Sequence, residues 1–145
     1  MPRATIDTTA TERFSLESLP ASGGEEEGWV ELRKLSYGQI LHRRDMAAKI
    51  AIEGLGDSKH SDDLKVTTDL IQKAVTEYEY KNCIADHNLE DKEGVKLNFS
   101  NPVNVQNLDP QVGQEISDLI DKLNDWDTKS QGKGVQASER ELEQV

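Results

Sequence analysis

Three features of this 145-residue chain predict an α+β fold, a mainly α-helical small domain with an N-terminal β-hairpin and disordered termini. Two segments near the N-terminus alternate apolar and polar residues, three later positions carry helix-capping signals, and a late segment lines apolar residues along one helical stripe. The length suits a single domain. Residues 13–127 read as its folded body, 1–12 as a flexible arm and 128–145 as a disordered tail.

Through Glu12 the chain is polar and Thr-rich, without the apolar periodicity needed to offset the entropy of ordering it. Phe14 and Leu16 then alternate with Ser15 and Glu17, and Val30 and Leu32 with Glu31 and Arg33, which predicts a two-stranded hairpin. Its connection, Pro20 to Gly28, is too long for a tight turn and too acidic to pack, and is expected to be mobile. Ser36-Tyr37-Gly38-Gln39 reads as a capping box with Leu35 and Ile40 as its hydrophobic staple. The helix that starts there has Tyr37, Leu41, Ala48 and Ala51 near one face, with Met46 and Ile50 beside it. Gly54 and Gly56 interrupt it, and Gly56 to Asp62 reads as a linker.

Leu64 and Val66 alternate as in a third strand, while Leu70, Ile71, Ala74, Tyr78 and Ala85 recur at helical spacing, predicting a helix from about Asp69. Asn88 to Gly94 reads as a turn, and Val95, Leu97 and Phe99 as a short strand. Asn101-Pro102 and Asp109-Pro110 each put a capping side chain before a proline whose missing N–H costs nothing at the first helical position. In the second of the helices that follow, Val112, Ile116, Leu119, Ile120, Leu123 and Trp126 share one stripe. Gln114, Asp118, Asp121 and Asp125 occupy the other face.

Seventeen Lys and Arg against 28 Asp and Glu leave a net charge of −11, which argues against binding nucleic acid or anionic membrane surfaces. No window has the roughly 20 apolar residues of a membrane helix, and the N-terminus lacks the apolar run of a signal peptide. With Cys83 as the single cysteine, an intramolecular disulfide and a four-thiolate zinc site are both excluded.

No catalytic constellation is legible, so no enzyme and no cofactor is expected. Cys83 and His87 stand four apart: a thiolate–imidazole pair or half a metal site on one reading, a buried cysteine near a capping histidine on the other, which the lack of a third group favours. The segment Asp86 to Gly94 resembles a calcium loop, but its glycine is late and Leu97 stands where the bidentate Glu belongs. Gly132-Lys133-Gly134 lacks the preceding glycine of a phosphate loop. His42-Arg43-Arg44, the one dense basic cluster, reads either as an anion contact or as one solvated helix turn, and the adjoining Asp45 favours the second. Candidate partner-binding residues are Glu25, Glu26 and Glu27, which can steer a basic partner, and the stripe residues Ile116, Leu119, Ile120, Leu123 and Trp126, which serve either as core or as a surface for an amphipathic helix.

Three strings carry a resemblance to a family. Trp29-Val30-Glu31-Leu32-Arg33-Lys34-Leu35-Ser36-Tyr37-Gly38-Gln39, the stretch Tyr78 to Leu89, and Asn101-Pro102 with Asp109-Pro110-Gln111-Val112-Gly113-Gln114-Glu115-Ile116 resemble the tail assembly chaperones of long-tailed bacteriophages. The resemblance implies a non-enzymatic assembly factor that binds and solubilises the tape-measure protein and helps tail-tube protein polymerise around it. It further implies self-association, action in the host cytoplasm during infection and absence from the mature virion. A permanent tail or neck component and an acidic mimic of DNA are the alternatives. The mimic would need carboxylates spaced like phosphates, whereas the acids here are scattered among lysines.

Overall fold

The computed structural model describes residues 1–55 and 61–125. Its elements are β1 (Glu12–Ser15), β2 (Trp29–Leu32), α1 (Tyr37–Leu55), α2 (Ser61–Cys83), β3 (Ile84–His87), α3 (Pro102–Gln106) and α4 (Pro110–Asn124). The fold is α+β, as the sequence predicts. Residues 56–60 of the expected linker, Trp126 and the expected tail lie outside the described residues.

The predicted hairpin forms: β1 and β2 are antiparallel, with Phe14 opposite Val30 and Ser15 opposite Trp29. Its connection departs from expectation. Leu16 N donates to Gly28 O at 2.8 Å and Gly28 N to Leu19 O at 2.8 Å, while Ser22 and Glu25 exchange backbone hydrogen bonds. A tight turn thus closes inside the long connection, and Gly23 and Gly24 supply the positive φ of 55° and 86° that it needs.

The sheet order is β1-β2-β3, so β2 is central and its third partner is Ile84–His87. This corrects two expectations. Leu64 and Val66 belong to α2, which is helical from Ser61, and both are exposed. The helix expected to run through Ala85 stops at Cys83, and the chain passes directly into a strand paired with β2 at Val30–His87 and Leu32–Ile84, with an irregularity between Glu31 and Leu32. Burying β2 between two strands outweighs the helical spacing of Ala85, because strand preference is set by tertiary context.

The segment after β3 is a turn, as expected, built on Asp91, whose carboxylate accepts from the backbone N–H groups of Glu93 and Val95. Leu97 N donates to Leu89 O at 3.0 Å, but no strand forms over Val95–Phe99. Of the three apolar residues that the alternation places on one face, Phe99 is buried and Leu97 packs on the core, but Val95 is exposed.

All three expected caps are present. Ser36 and Gln39 satisfy each other's backbone N–H groups at 3.2 and 2.9 Å. Asn101 accepts from Val103 N at 3.1 Å and Asp109 from Gln111 N at 2.9 Å, with Pro102 and Pro110 following. Helix α4 ends at Asp125 in the left-handed region, φ 56°, which Asp tolerates better than most residues.

The core lies between the sheet and α4. Leu16, Val30 and Leu32 from the hairpin meet Val112, Ile116 and Ile120 of α4, and Tyr80 and Cys83 at the end of α2 complete it. Tyr80 Oη donates to Gly113 O at 2.6 Å and lies 3.3 Å from Ser117 Oγ, fixing α2 on α4. Only the last turns of α2 join this core. Its earlier turns run out beside α1, and between Leu64 and Tyr78 Thr67 alone is buried.

Candidate interaction surfaces

Among the described residues the α4 stripe packs on the core. Ile116 and Ile120 have no exposed surface, and Leu119 and Leu123 are partly buried against the same cluster. A partner contact through Ile116 or Ile120 is therefore precluded in this conformation. Burial of each contributes about 1.5–3 kcal/mol to folding, which an open partner surface would forfeit. Glu25, Glu26 and Glu27 are exposed, as a steering role requires. Glu27 is also held in place, since its carboxylate accepts from Ser15 Oγ at 3.0 Å and its carbonyl from Asn88 Nδ2 at 2.8 Å. The stripe faces inward and the three glutamates outward, so they do not combine into one site.

The basic run His42-Arg43-Arg44 is not one solvated patch. Arg43 Nε pairs with Glu79 Oε1 at 2.9 Å, where Glu79 is buried, and His42 lies over Tyr78 with ring centroids 5.1 Å apart. Burial pushes the Glu79 carboxyl above its ordinary range despite the Arg43 charge, and Asp121 pushes it in the same direction. Cys83 and His87 close different elements and share no helical face. The Cys83 thiol is raised to about 12, first by burial and then by Glu79, while Asn124 Nδ2 approaches its sulfur at 4.0 Å. His87 is lowered by burial, its Nδ1 accepts from Leu89 N at 3.0 Å, and its ring packs on Phe99. Both behave as structural groups. Among the described residues no three His, Cys, Asp or Glu are grouped to hold a metal, and no helix is long and apolar enough to cross a membrane.

Apolar surface is concentrated instead on the α1–α2 hairpin. Tyr37, Leu41 and Ile52 of α1 and Leu64, Val66 and Leu70 of α2 are all exposed. Between the helices runs an open groove of about 450 Å³, lined by Ile50, Glu53 and Gly54 of α1 and Leu70, Lys73, Ala74 and Glu77 of α2. A second hollow of about 330 Å³ shares Lys73 and Glu77 and extends to Val105 and Gln106 of α3, where Gln106 Nε2 donates to Glu77 Oε1 at 2.9 Å. The helices approach closely at the groove: a Cβ on Gly54 would lie 2.7 Å from Thr67 Cγ2.

Sequence reasoning missed this surface because it takes exposed helical apolar residues for core. The available signal was the spread of apolar residues around α1 and α2, in contrast to the single stripe of α4. A second omission is Glu115, whose carboxylate accepts from Glu17 N, Ser18 N and Ser18 Oγ at 2.6, 3.0 and 2.6 Å and so ties α4 to the end of the hairpin. No family model, curated protein or solved structure was found to match this chain.

Proposed function

We propose that the protein is a non-enzymatic phage tail assembly chaperone that holds apolar helical segments of the tape-measure protein until tail-tube protein encloses them. The observation that carries this reading is the α1–α2 groove, in which apolar Ile50, Leu70 and Ala74 are bordered by charged Glu53, Lys73 and Glu77. An amphipathic helix is recognised by this kind of surface, apolar along its length with a polar rim. The net charge of −11 keeps a complex with an aggregation-prone partner dispersed through self-repulsion. Binding to the partner in a solvated form then competes with its aggregation by mass action. The three sequence strings that resemble the family supply the identity of the partner.

Co-expression with the tape-measure protein tests this. The long protein is expected to move into the soluble fraction and to co-purify with the chain. Equal insolubility with and without the chain, and no complex, would overturn the reading. Mass spectrometry of purified particles separates it from the alternative of a virion component: a chaperone is absent or far below stoichiometry, whereas a tail or neck part is stoichiometric.

A further inference from the structure

The walls of the α1–α2 groove carry charges in a definite order. The two helices run antiparallel: Arg43 Nε meets Glu79 Oε1 at 2.9 Å towards one end, and towards the other a Cβ on Gly54 would lie 2.7 Å from Thr67 Cγ2. Between these contacts Glu53 of α1 stands level with Thr68 of α2, and Lys49, exposed on the α1 rim, with Lys73. Along the groove the order is therefore Glu53 at one end, Lys49 and Lys73 in the middle and Glu77 at the other end, with apolar Ile50, Leu70 and Ala74 between the acids. Glu53 and Glu77 belong to opposite walls and are separated by about nine residues along the axis, roughly 13 Å at 1.5 Å per residue. Among the described residues no ion pair joins any of these four charges to an opposite one. Glu77 accepts from Gln106 Nε2 at 2.9 Å, which fixes its position.

We propose that the groove selects an amphipathic helix whose flanks carry a basic residue at each end of the contact, about nine positions apart, and an acidic residue between them. This rests on the reading of the groove as a helix site and adds the charge order its occupant must have. About nine positions at 100° each turn a helix by two full turns and a half, so the two basic residues emerge on opposite flanks, one toward Glu53 and one toward Glu77. An acidic residue four positions from the second lies on the same flank and reaches Lys73, which is itself one helical turn before Glu77. The apolar stripe between the flanks covers Ile50, Leu70 and Ala74. A helix with uniformly basic flanks would meet Lys49 and Lys73, and one with uniformly acidic flanks would meet Glu53 and Glu77. Like charges facing each other across a contact are unfavourable, so the groove discriminates by the order of charges as well as by their sum.

Two labelled synthetic amphipathic peptides of identical composition, titrated with the full chain and followed by fluorescence anisotropy, test this. One carries lysine, glutamate and lysine in that order at the three flank positions. The other exchanges the glutamate with the lysine meant for Glu53, so its net charge is the same and the −11 of the chain attracts both alike. The first should bind at least about fivefold more tightly, because the exchange turns two exposed attractions into repulsions, and the gap should narrow as salt is raised. Glu53→Lys should remove the preference with unchanged helical circular dichroism, since Glu53 is exposed. Glu77→Gln, which keeps an acceptor for Gln106, should weaken the first peptide without unfolding the chain. Equal binding of the two peptides to the parent overturns the charge order and leaves the groove a helix site, whereas binding of neither overturns both. A preference that survives Glu53→Lys overturns the place given to Glu53.

Discussion

Two carboxylates of this protein respond to acid with opposite sign. Burial acts to raise the Glu115 carboxyl, but hydrogen bonds from Ser18 and Glu17 outweigh it and bring it below the ordinary value of 4.5. Its contribution to stability is therefore present above pH 4.5 and lost as pH falls through the lowered folded value. Glu79, raised by burial, contributes stability that is present below pH 4.5 and lost as pH rises through its folded value. Thermal melts from pH 3 to 7 should show Glu115→Gln with a flatter acid limb than the parent. Glu79→Gln should instead remove a decline on the rising side. If Glu115→Gln leaves the acid limb unchanged, its clamp on Glu17 and Ser18 contributes nothing. Cys83 gives a second residue-scale check: with the thiol raised to about 12 and fully buried, it should resist thiol reagents in the native state and react once on unfolding. Rapid native labelling would contradict the packing of α2 on α4.

Among the elements, α4 is the most legible and α2 the least. Capping by Asp109 before Pro110 and the stripe Val112–Ile116–Ile120 fixed both the existence and the buried face of α4. Ile120→Ala is expected to cost about 2–5 kcal/mol by opening a cavity, measured by chemical denaturation. The stripe could not reveal that Val112, Ile116 and Ile120 are used by the core, because core and interface present the same periodicity. In α2 the alternation of Leu64 and Val66 imitates a strand, and nothing local marks the change from helix to strand at Ile84. Both features depend on what the segments meet in space: α1 alongside the first, β2 alongside the second. Gly54 is also unreadable locally, since a glycine late in a helix normally weakens it. Here it admits the Thr67 side chain, so Gly54→Ala should lower the melting temperature even though alanine is the better helix former by about 1 kcal/mol. An unchanged or higher melting temperature would mean that α1 and α2 can shift apart without cost.

At the scale of the molecule, the compact layer of sheet and α4 carries a helical hairpin whose outer turns have little core of their own. This division explains why apolar residues that pattern analysis assigns to the interior, such as Leu41, Leu64 and Leu70, remain in contact with solvent. It also separates stability from the proposed binding: substitutions of exposed apolar residues of the outer hairpin, such as Leu41 and Leu70, should leave the melt nearly unchanged, whereas those in the buried face of α4 should not. Charge acts at this scale as well: the balance is −11, and the exposed Glu25 to Glu27 carry part of it on the hairpin connection. The most direct test of the central claim is fluorescence anisotropy of a labelled amphipathic helical peptide from the tape-measure protein, titrated with the chain and with its Leu70→Glu variant. The account predicts saturable binding to the parent and at least about tenfold weaker binding to the variant, with both proteins equally folded. Absence of binding to the parent, or equal binding to the two, would contradict it.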